Sequence, residues 1–328
     1  MQSSIDTIEL QEKVKKSNET LNIKKSEKGI SKSLRGFIVV VIVNYNGYKD
    51  TEECLASLRK VKTPNMYVII VDNGSTDDST NRLKEFVIEE KEHLICVEDN
   101  LGFSGGNNIG IRYAIDKGAE YVCLLNNDTV VDPNFLDKML DKADNNSVVY
   151  GTIRFFSNPD RVWFAGGNYN RWTGRTVHFG YNQNDAKIEE LREKQNFVTG
   201  CLLLMPTYVI EKIGMLPEHY FLYYEDTEYS LRLIENGVGM KYAREAIIYH
   251  KVSASTQKMP DKMMYYTIRN SLLVICEHEK GIRKIVSYMC VTARNIKRMI
   301  KGEYNIKVVM EAYRDFICKN FGKYSGKL

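Results

Sequence analysis

The stretch that decides the fold class of this chain is YVCLLNNDTVVDP, residues 121–133. Its first five residues are apolar without interruption, which is typical of a strand buried on both faces inside a parallel sheet. Two asparagines and Asp128 follow directly, at the end of the strand where open α/β sheets bind their ligands. Asp128 is therefore a candidate metal-binding or phosphate-handling group. The alternative is an ordinary turn, in which Asp128 or Asp132 caps a helix begun by Pro133.

Three earlier segments also predict buried strands, and helical patterns separate them. The strands are FIVVVIV (37–43), MYVIIV (66–71) and LICV (94–97). Strands that alternate with helices predict a mostly parallel sheet with helices on both faces. We therefore expect a doubly wound α/β domain whose first half spans residues 35–150.

Polar or glycine-rich sequence follows each predicted strand. Because the carboxyl ends of parallel strands meet at one edge of a sheet, we expect these residues to form one rim that fits a nucleotide-type ligand. Turn conformation alone explains each residue singly but explains the whole set poorly. The residues are Asn44, Asp72, Gly105, Gly106, Asn107 and Asp128.

Two common nucleotide-binding classes lack their motifs in this sequence. A dinucleotide-binding domain requires GxGxxG after its first strand, but the turn at that position is NYNG (44–47). The P-loop motif GxxxxGK[ST] does not occur either. The sequence therefore argues against an NAD-dependent enzyme and against a P-loop enzyme.

The composition predicts a cytoplasmic globular protein. The seven cysteines form no CxxC pair, which argues against a disulfide framework and against a zinc site. No apolar run approaches the ~18 residues that span a bilayer, and the N-terminus lacks the apolar core of a signal peptide. Residues 1–34 are polar and charged, and we expect them to form a flexible tail.

The segment HYFLYYEDTE (219–228) places two acids among aromatic residues at the predicted start of a helix. Capping of the helix explains one acid. A carboxylate that is partly desolvated by aromatic neighbours acquires the raised basicity of a general base. Glu225 and Asp226 are therefore the candidate catalytic groups of a second half, residues 151–258.

Two further features of this second half have competing interpretations. Trp163 and Phe164 belong to an aromatic and glycine-rich segment, where core packing is slightly favoured over contact with a sugar. His250 alone among the five histidines ends an apolar strand at a rim-like position. A lone histidine is usually structural, but beside a metal-binding Asp128 it would suit Mn²⁺ or a similar cation.

The C-terminal residues 259–328 predict three helices with a basic character. From residue 280 onward there are twelve lysines and arginines against three acids. The helix within 281–302 is amphipathic, and such a helix can lie on an anionic membrane. Packing on the catalytic domain or against a second copy is the competing interpretation. The helices carry no nucleic-acid-binding motif, so we expect no nucleic acid partner.

Eight segments together give the chain a resemblance to a known family. It resembles the inverting glycosyltransferases of family 2, which have a GT-A fold, and among them the rhamnosyltransferase-like branch. The matching segments are VIVNYNG (41–47), VDNGSTDDS (71–79), NLGFSGGNNIG (100–110), LLNNDT (124–129), VTGCLLL (198–204), FLYYEDTEYSLRLIENG (221–237), YHKVSAS (249–255) and YYTIRNSL (265–272).

The resemblance implies roles for the donor-side residues. Asp72 would bind the base of the donor nucleotide, with Asn44 and Asn46 beside it. Asp128 would be the metal-binding acid of a DxD-like element in which Asn126 replaces the first aspartate. His250 would be a second ligand of a Mg²⁺ or Mn²⁺ ion or would contact the donor diphosphate.

The resemblance also implies the reaction and its substrates. Asp226 would be the catalytic base, and Glu225 would position the substrate or the base. The donor would be a nucleotide sugar, dTDP-rhamnose in this branch, with UDP-hexose, UDP-GlcNAc or UDP-galactofuranose as alternatives. The acceptor would be a glycan or a polyprenyl-linked sugar at the inner face of the membrane. A non-catalytic scaffold is the alternative from another class, and the intact acids argue against it.

Overall fold

The first half of the computed structural model is a parallel sheet in which strands and helices alternate. The structure describes residues 36–184, 195–251 and 260–326, so the predicted tail at residues 1–34 lies outside the described residues. The elements are β1 (Ile38–Asn44), α1 (Tyr48–Leu58), β2 (Met66–Asn73), α2 (Ser79–Phe86), β3 (Glu92–Val97), α3 (Gly102–Asp116) and β4 (Tyr121–Asn126). These four strands pair in parallel, as predicted, and their order is β3-β2-β1-β4.

The centre of this half is the nearly all-β-branched strand β1, which is buried along most of its length. Helix α3 approaches β1 closely because it carries glycines where the two elements meet. A Cβ atom built on Gly110 would lie 2.3 Å from a methyl carbon of Val41, and one built on Gly106 would lie 2.7 Å from Val43. Any side chain at these two positions would push the helix away from the sheet.

The rest of the domain, which begins in the last part of the predicted first half, extends the same sheet with four antiparallel pairings and one parallel pairing, of Ser147–Phe155 with Gly239–His250. Its elements are β5 (Thr129–Val131), α4 (Phe135–Leu140), β6 (Ser147–Phe155), β7 (Asn158–Phe164), β8 (Gly167–Asn170), β9 (Arg175–His178), β10 (Leu202–Pro206), α5 (Thr207–Ile213), a 3₁₀ turn (Glu218–Tyr220), α6 (Glu225–Glu235) and β11 (Gly239–His250). The sheet order is β3-β2-β1-β4-β10-β6-β11-β5, with β7 on β6, and β8 and β9 form a separate ribbon. Within the described residues the main sheet has four parallel and four antiparallel pairings.

In three places the elements differ from what the local sequence indicates. The segment FVTGCLLLM (197–205) indicates a strand, but the strand begins only at Leu202. The segments 240–243 and 246–249 indicate two short strands, but they form one strand, β11, with an irregular register between Ala243 and Ile247. The helix of the alternative interpretation, begun by Pro133, is not formed, because α4 begins at Phe135 after the unpredicted strand β5, which pairs with β11. Pairings between distant strands decide each of these differences.

Three C-terminal helices follow, as predicted: α7 (Asp261–His278), α8 (Gly281–Ile300) and α9 (Ile306–Ile317). Helices α7 and α9 pack around a cluster of buried side chains that includes Met264, Tyr265 and Val308. The partly buried aromatic residues Phe221 and Tyr223 pack against this cluster. The C-terminal helices therefore contact the segment that carries the candidate base. None of the described helices is long and apolar enough to cross a membrane.

Candidate active site

The parallel register brings three predicted site residues to one edge of the sheet. Asn44 on β1 pairs with Asp72 on β2, and Val43 pairs with Asn126 on β4. The last residues of three neighbouring strands therefore lie side by side. We call this edge, with Asp128 just beyond β4, the donor edge.

Asn44 and Asp72 form a buried hydrogen-bonded pair at the donor edge. The Asn44 amide donates to Asp72 Oδ1 at 2.9 Å and accepts from the Thr51 hydroxyl at 2.9 Å. The hydroxyls of Ser75 and Thr80 also donate to the Asp72 carboxylate. Asn44 and Asp72 are both almost fully buried. Three polar groups therefore hold the Asp72 carboxylate in one orientation, although its side chain is largely closed to solvent.

Asn46 is the exposed member of the predicted nucleotide-binding residues. Its backbone lies in the left-handed region, with φ 53°. Its side-chain oxygen accepts from the backbone N–H of Thr76 at 2.8 Å, and its backbone N–H donates to the Ser75 hydroxyl at 2.9 Å. Asn46 thus joins the turn after β1 to the turn after β2.

Gly105, Gly106 and Asn107 lie inside helix α3 and are buried. Gly106 meets β1, and the Asn107 side chain donates to the backbone oxygen of Phe103 at 2.9 Å. The structure therefore gives these three residues a packing function, and their predicted contact with a nucleotide stays a prediction.

Asp128 and His250 face each other across the β5–β11 pairing. Thr129 pairs with His250, and His250 Nε2 lies 3.0 Å from Asp128 Oδ1. Asp128 retains 33% of its side-chain exposure, whereas His250 is buried and packs edge-on against Trp163. Asp128 is thus not the helix cap of the alternative interpretation, because α4 begins seven residues later.

These two side chains fit a divalent cation. One carboxylate and one imidazole are a donor set that Mn²⁺ accepts. The second ring nitrogen of His250, Nδ1, is buried and has no hydrogen-bond partner among the described residues. A buried polar atom without a partner calls for an explanation, and a bound ion or water is one.

A second group of potential ligands lies elsewhere, formed by Glu228, Glu277 and His278. Arg232 donates to both carboxylate oxygens of Glu228, at 3.1 and 2.6 Å. The hydroxyl of Tyr220 donates to Glu277 at 2.6 Å. These acids already have cationic or hydroxyl partners, so we interpret the group as an ion-pair network.

The aromatic segment before the candidate base has a strained backbone. Phe221, Tyr223 and Tyr224 all adopt positive φ angles, between 65° and 71°. Residues with a Cβ rarely adopt this conformation, which costs about 1–3 kcal/mol for each residue. We call residues 220–224 the base loop, because helix α6 and the two candidate acids follow it directly.

The surroundings of Glu225 and Asp226 raise the pKa of both acids. Burial is the main cause for each, and the neighbouring Asp226 charge raises the pKa of Glu225 further. Thr199 and Thr227 donate hydrogen bonds to Asp226, which partly oppose the effect of burial on its pKa. One oxygen of Glu225 is buried without a hydrogen-bond partner in the described part of the chain. Asp226 is thus the better stabilised of the two carboxylates.

Two buried polar residues of helix α7 hold the base loop. The side-chain amide of Asn270 donates to the backbone oxygens of Tyr220, Leu222 and Tyr223, at 2.8 to 2.9 Å. Arg269 donates to the same Tyr220 oxygen at 3.0 Å, and both residues are at most 1% exposed. These contacts supply the hydrogen bonds that stabilise the strained conformation.

A glycine joins the base loop to the first half of the chain. The backbone N–H of Phe103 donates to the Phe221 oxygen at 2.8 Å. Gly102 has φ 76°, and a Cβ on it would lie 2.2 Å from that oxygen. Only a glycine allows this approach.

Four of the predicted site residues line one open cavity of ≈ 950 Å³. They are Asn126, Glu225, Asp226 and His250. Asn44, Asn46, Asp72, Gly105, Gly106, Asn107 and Asp128 lie outside its lining. Groups from both halves of the chain therefore share one cavity.

Sequence reasoning missed several residues of this cavity and its support. Phe164 is fully buried, as core packing predicts, whereas Trp163 lines the cavity, where contact with a sugar stays a prediction. Arg175 and His178 on β9 also line it, and four basic residues of the C-terminal region do so as well. The basic run of α8 was visible in the sequence, but nothing in it indicated that the helix turns this face inward.

Comparisons with known proteins support the family resemblance and the fold. The model of the family "Glycosyl transferase family 2" matches residues 39–214. The chain is 27% identical to dTDP-rhamnosyl transferase RfbF of Shigella flexneri over 258 residues, which cover 73% of this chain and 79% of that protein. It is 24% identical to N-acetylglucosaminyl-diphospho-decaprenol L-rhamnosyltransferase of Mycobacterium tuberculosis over 264 residues, or 74% and 85% of the two chains.

A solved structure shows the same fold. It is the mannosyltransferase PcManGT from Pyrobaculum calidifontis in complex with GDP-Man and Mn²⁺, with a TM-score of 0.53 and 15% identity over 93% of this chain and 80% of that chain. The predicted GT-A architecture is therefore confirmed. The chain belongs to glycosyl transferase family 2 and is a glycosyltransferase with a GT-A fold.

Proposed function

We propose that this protein is an inverting glycosyltransferase that transfers L-rhamnose from dTDP-rhamnose to a glycan or lipid-linked acceptor of a cell-surface polysaccharide. The observation that carries the proposal is the shared cavity, in which the carboxylate of Asp226 lies with the strand-end residues Asn126 and His250. The rhamnosyltransferases among the relatives support the choice of sugar. A UDP-hexose, UDP-GlcNAc or UDP-galactofuranose donor is the alternative.

Asp226 would act as the general base. Its carboxylate takes the proton of the acceptor hydroxyl while the hydroxyl oxygen forms a bond to the anomeric carbon. The bond from that carbon to the diphosphate oxygen breaks at the same time, and the electron pair leaves with the nucleoside diphosphate. A single displacement of this kind inverts the anomeric centre. The raised pKa of Asp226 suits a base that must accept a proton near neutral pH.

Glu225 would have a positioning role. The pKa of this acid is raised by burial and by the charge of Asp226, so Glu225 holds its proton more readily than an exposed glutamate. With Glu225 protonated, the negative charge of the pair is concentrated on Asp226. The base loop and the contacts of Ser230 fix where that charge lies, since Ser230 donates to the Asp226 backbone oxygen at 2.6 Å.

Asp128 and His250 would hold a Mg²⁺ or Mn²⁺ ion together with the donor diphosphate. When bound, such an ion neutralises charge on the leaving diphosphate. Asp72, Asn44 and Asn46 would contact the nucleoside, and the fixed orientation of Asp72 supports that assignment.

The outer sides of α8 and α9 would contact an anionic membrane. Large aliphatic side chains are exposed along both helices, and Ile300 reaches 82% exposure. Exposed lysines, among them Lys280 and Lys307, accompany them. Aliphatic groups next to cations complement a surface of anionic lipids. We call the exposed aliphatic residues of the two helices the outer face. They are Ile282, Ile285, Met289, Ile296, Ile300, Ile306, Met310 and Ile317.

Co-sedimentation with phosphatidylglycerol and with phosphatidylcholine vesicles tests this contact. We expect binding to the anionic vesicles, and loss of binding in Met289→Glu combined with Ile300→Glu. Ile88→Glu, which changes an exposed isoleucine elsewhere, is the matched control. Equal binding by all three proteins would contradict the membrane contact. Dimers of the wild type that the double variant abolishes would assign the outer face to a second copy.

The function itself is tested with a panel of nucleotide sugars. Each is added with Mg²⁺ or Mn²⁺, and the melting temperature is measured, because a ligand that binds only the folded state stabilises it by mass action. We expect dTDP-rhamnose to give the largest stabilisation and to be consumed when an acceptor extract is present. A larger effect of a UDP-sugar would change the donor. Stabilisation without any transfer or hydrolysis would favour a non-catalytic scaffold.

A further inference from the structure

The β8–β9 ribbon supplies one wall of the cavity that holds the candidate base. Thr176 and His178 of β9 both line this cavity, whereas Val177 between them is exposed and lies outside its lining. The alternation is the ordinary period of a strand, which turns residues i and i+2 to the same side. One face of β9 therefore faces the cavity, and the other faces solvent.

Aromatic rings surround the imidazole of His178. It stacks on Phe197, with 5.7 Å between the ring centroids and 17° between the ring planes. Trp163 and Phe164 approach it edge-on, each with a centroid distance of 5.1 Å. These three rings fix the orientation of the imidazole. Trp163 and Phe197 also line the cavity, and we call Trp163, Thr176, His178 and Phe197 the ribbon wall.

The side chain of His178 is a hydrogen-bond acceptor at neutral pH. Burial lowers the pKa of this histidine to about 4, and a hydrogen bond to the backbone of Trp163 only partly opposes the effect. The ring is therefore uncharged, with one N–H and one nitrogen that accepts. Because the hydrogen bond to Trp163 raises the pKa, the ring N–H donates it to the backbone oxygen, and the second nitrogen keeps its lone pair.

Thr176 adds a hydroxyl that lacks a partner. Its oxygen is buried and makes no hydrogen bond within the described residues, although the residue lines the cavity. A buried hydroxyl without a partner has lost its hydrogen bonds to water, and a ligand that supplies a partner restores this stabilisation. Rotation about χ1 exchanges the positions of the hydroxyl and the methyl group, so the hydroxyl can turn toward the cavity.

The C-terminal helices hold the turn of the ribbon in place. Arg171 donates to the carboxylate of Glu279 and to the backbone oxygen of His278, both at 2.6 Å. Arg294 of α8 donates to the backbone oxygen of Thr173, also at 2.6 Å. The ribbon wall is thus anchored before any ligand binds. Side chains that are held in advance lose little conformational freedom on binding.

The ribbon wall lies next to the candidate diphosphate site. Trp163 also packs edge-on against His250, with 4.7 Å between the ring centroids, so a single ring separates His250 from His178. Under the proposed function, His250 meets the donor diphosphate or its ion. The sugar of a nucleotide sugar is bonded directly to that diphosphate, and the nucleoside lies at its other end. The geometry therefore favours the donor sugar as the group that reaches the ribbon wall.

We propose that the ribbon wall binds the sugar ring of the donor and determines which sugar is transferred. His178 accepts a hydrogen bond from one hydroxyl of a neutral sugar, Thr176 pairs with a second hydroxyl, and the rings of Trp163 and Phe197 supply apolar surface. This inference rests on the proposed function and adds the residues that choose its sugar. A site that hydrogen-bonds a hydroxyl rejects a sugar without that hydroxyl, because the polar groups of the site are then left unpaired.

Calorimetric titration of the full chain in the presence of Mn²⁺ tests this proposal. The ligands are dTDP, dTDP-rhamnose and dTDP-glucose, or UDP and two UDP-sugars if the panel selects a UDP donor. The ratio of the affinity for the nucleotide sugar to the affinity for the bare nucleotide measures the contribution of the sugar. We expect His178→Phe, which keeps a ring but loses the acceptor, to reduce this ratio about tenfold. Thr176→Val, which replaces the hydroxyl by a methyl group, should reduce it roughly threefold.

Two further readouts separate sugar recognition from a structural role. The affinity for dTDP should stay the same in both variants. The preference for dTDP-rhamnose over dTDP-glucose should shrink in His178→Phe, which a ring that serves only packing would not cause. Val177→Thr is the matched control, since it changes the solvent-facing side of the same strand, and it should bind all ligands like the wild type. If His178→Phe fails to fold, Thr176→Val carries the test, because valine and threonine have nearly the same shape.

Three outcomes would overturn the proposal. Equal losses for dTDP and dTDP-rhamnose would give the ribbon wall a role in the nucleotide site or in the fold. Unchanged affinities in both variants would leave its residues to core packing. Unchanged donor affinity with a raised KM for the acceptor would assign the ribbon wall to the acceptor. Failure of the proposed function is distinguishable, since the wild type itself would then bind no nucleotide sugar.

Discussion

The donor edge and the base loop are built in opposite ways. At the donor edge, each side chain follows a strand that its own local sequence predicts, and the parallel register alone brings Asn44 beside Asp72. The base loop consists of aromatic residues in a conformation that their own sequence disfavours, and Asn270 holds it from 47 to 50 positions away along the chain. Locally determined structure thus positions the donor groups, whereas distant contacts position the base.

This difference determines what a substitution should do. A change at the donor edge should affect the bound ion or nucleotide and leave the base in place. A change in the support of the base loop should affect turnover and stability together, because the loop is strained without its hydrogen bonds. The following predictions separate the two regions.

The largest effect is expected for Asp226→Asn. An amide cannot take the proton of the acceptor hydroxyl, so the transfer rate should fall by about 10²–10⁴-fold, the usual contribution of a general base. The turnover number and the affinity for the nucleotide sugar are measured separately, and the affinity should stay the same. Asp116→Asn, at an exposed position, is the control. A rate within tenfold of the wild type would remove Asp226 from the role of base.

A smaller effect on turnover is expected for Asn270→Ala. Three carbonyl oxygens of the base loop lose their donor, so the free energy of unfolding should fall by about 2–4 kcal/mol. The turnover number should fall roughly 10–100-fold through displacement of Asp226, with unchanged nucleotide affinity. Lys262→Ala on the same helix is the control. A lower melting temperature with normal turnover would show a purely structural role.

At the donor edge, Asp128→Asn should weaken binding of the divalent ion and leave the position of Asp226 unchanged. We expect the affinity for Mn²⁺ in the presence of dTDP to fall by about tenfold or more, because one charged ligand is lost. The melting temperature should hardly change, since a third of the Asp128 side chain is exposed. Titration of the ion, with Asp132→Asn as the control, measures this. Undiminished Mn²⁺ affinity would place the ion elsewhere.

The smallest expected effect is a shift in the pH profile of kcat/KM. Burial raises the pKa of Asp226 to about 6, so the base becomes protonated and inactive below that pH. The value of kcat/KM should therefore rise with pH up to about 6. Because the two neighbouring acids titrate together, this acid limb of the pH profile reports Asp226 and Glu225 as a pair. An acid limb near ~4, the value of an exposed aspartate, would contradict the burial of the base.

The same pKa has a consequence for stability. The folded state binds a proton more tightly than the unfolded chain does, so this group stabilises the fold at low pH. Its contribution is lost as the pH rises from ~3.9 through about 6. Asp226→Asn should remove this part of the pH dependence from the melting temperature.

The strands of the donor edge could be predicted from the sequence because hydrophobic periodicity, strand-forming composition and turn residues are all local features. The strands ending at Asn44, Asp72 and Asn126 needed only their own residues and the rule that parallel strand ends meet. Sequence reasoning also placed Asp226 at the start of a helix, since acids and aromatic residues were adjacent in the sequence. Strand β5, the full length of β11 and the close approach of Asp128 to His250 depended on pairing between distant segments, which no local pattern contains.

The C-terminal helices show the same limit. Their number and their basic, amphipathic character were predictable from periodicity. The direction of each face was not, because α8 has both apolar and basic residues that could face solvent. The same limit applies to Gly102. A glycine is required there because the backbone oxygen of Phe221, more than a hundred residues away, lies so close, and the local sequence carries no signal of that contact.

The support of the base loop by Asn270 also orders events during synthesis. The paired strands β1, β2 and β4, which carry Asn44, Asp72 and Asn126, have all been made by residue 126, whereas the base loop has to wait for helix α7 to emerge and dock. Since chains begin to fold from the N-terminus as they are made, a nascent chain forms its donor edge before its base is positioned. The candidate base is therefore positioned late in synthesis, and the residues of α8 that line its cavity follow later still.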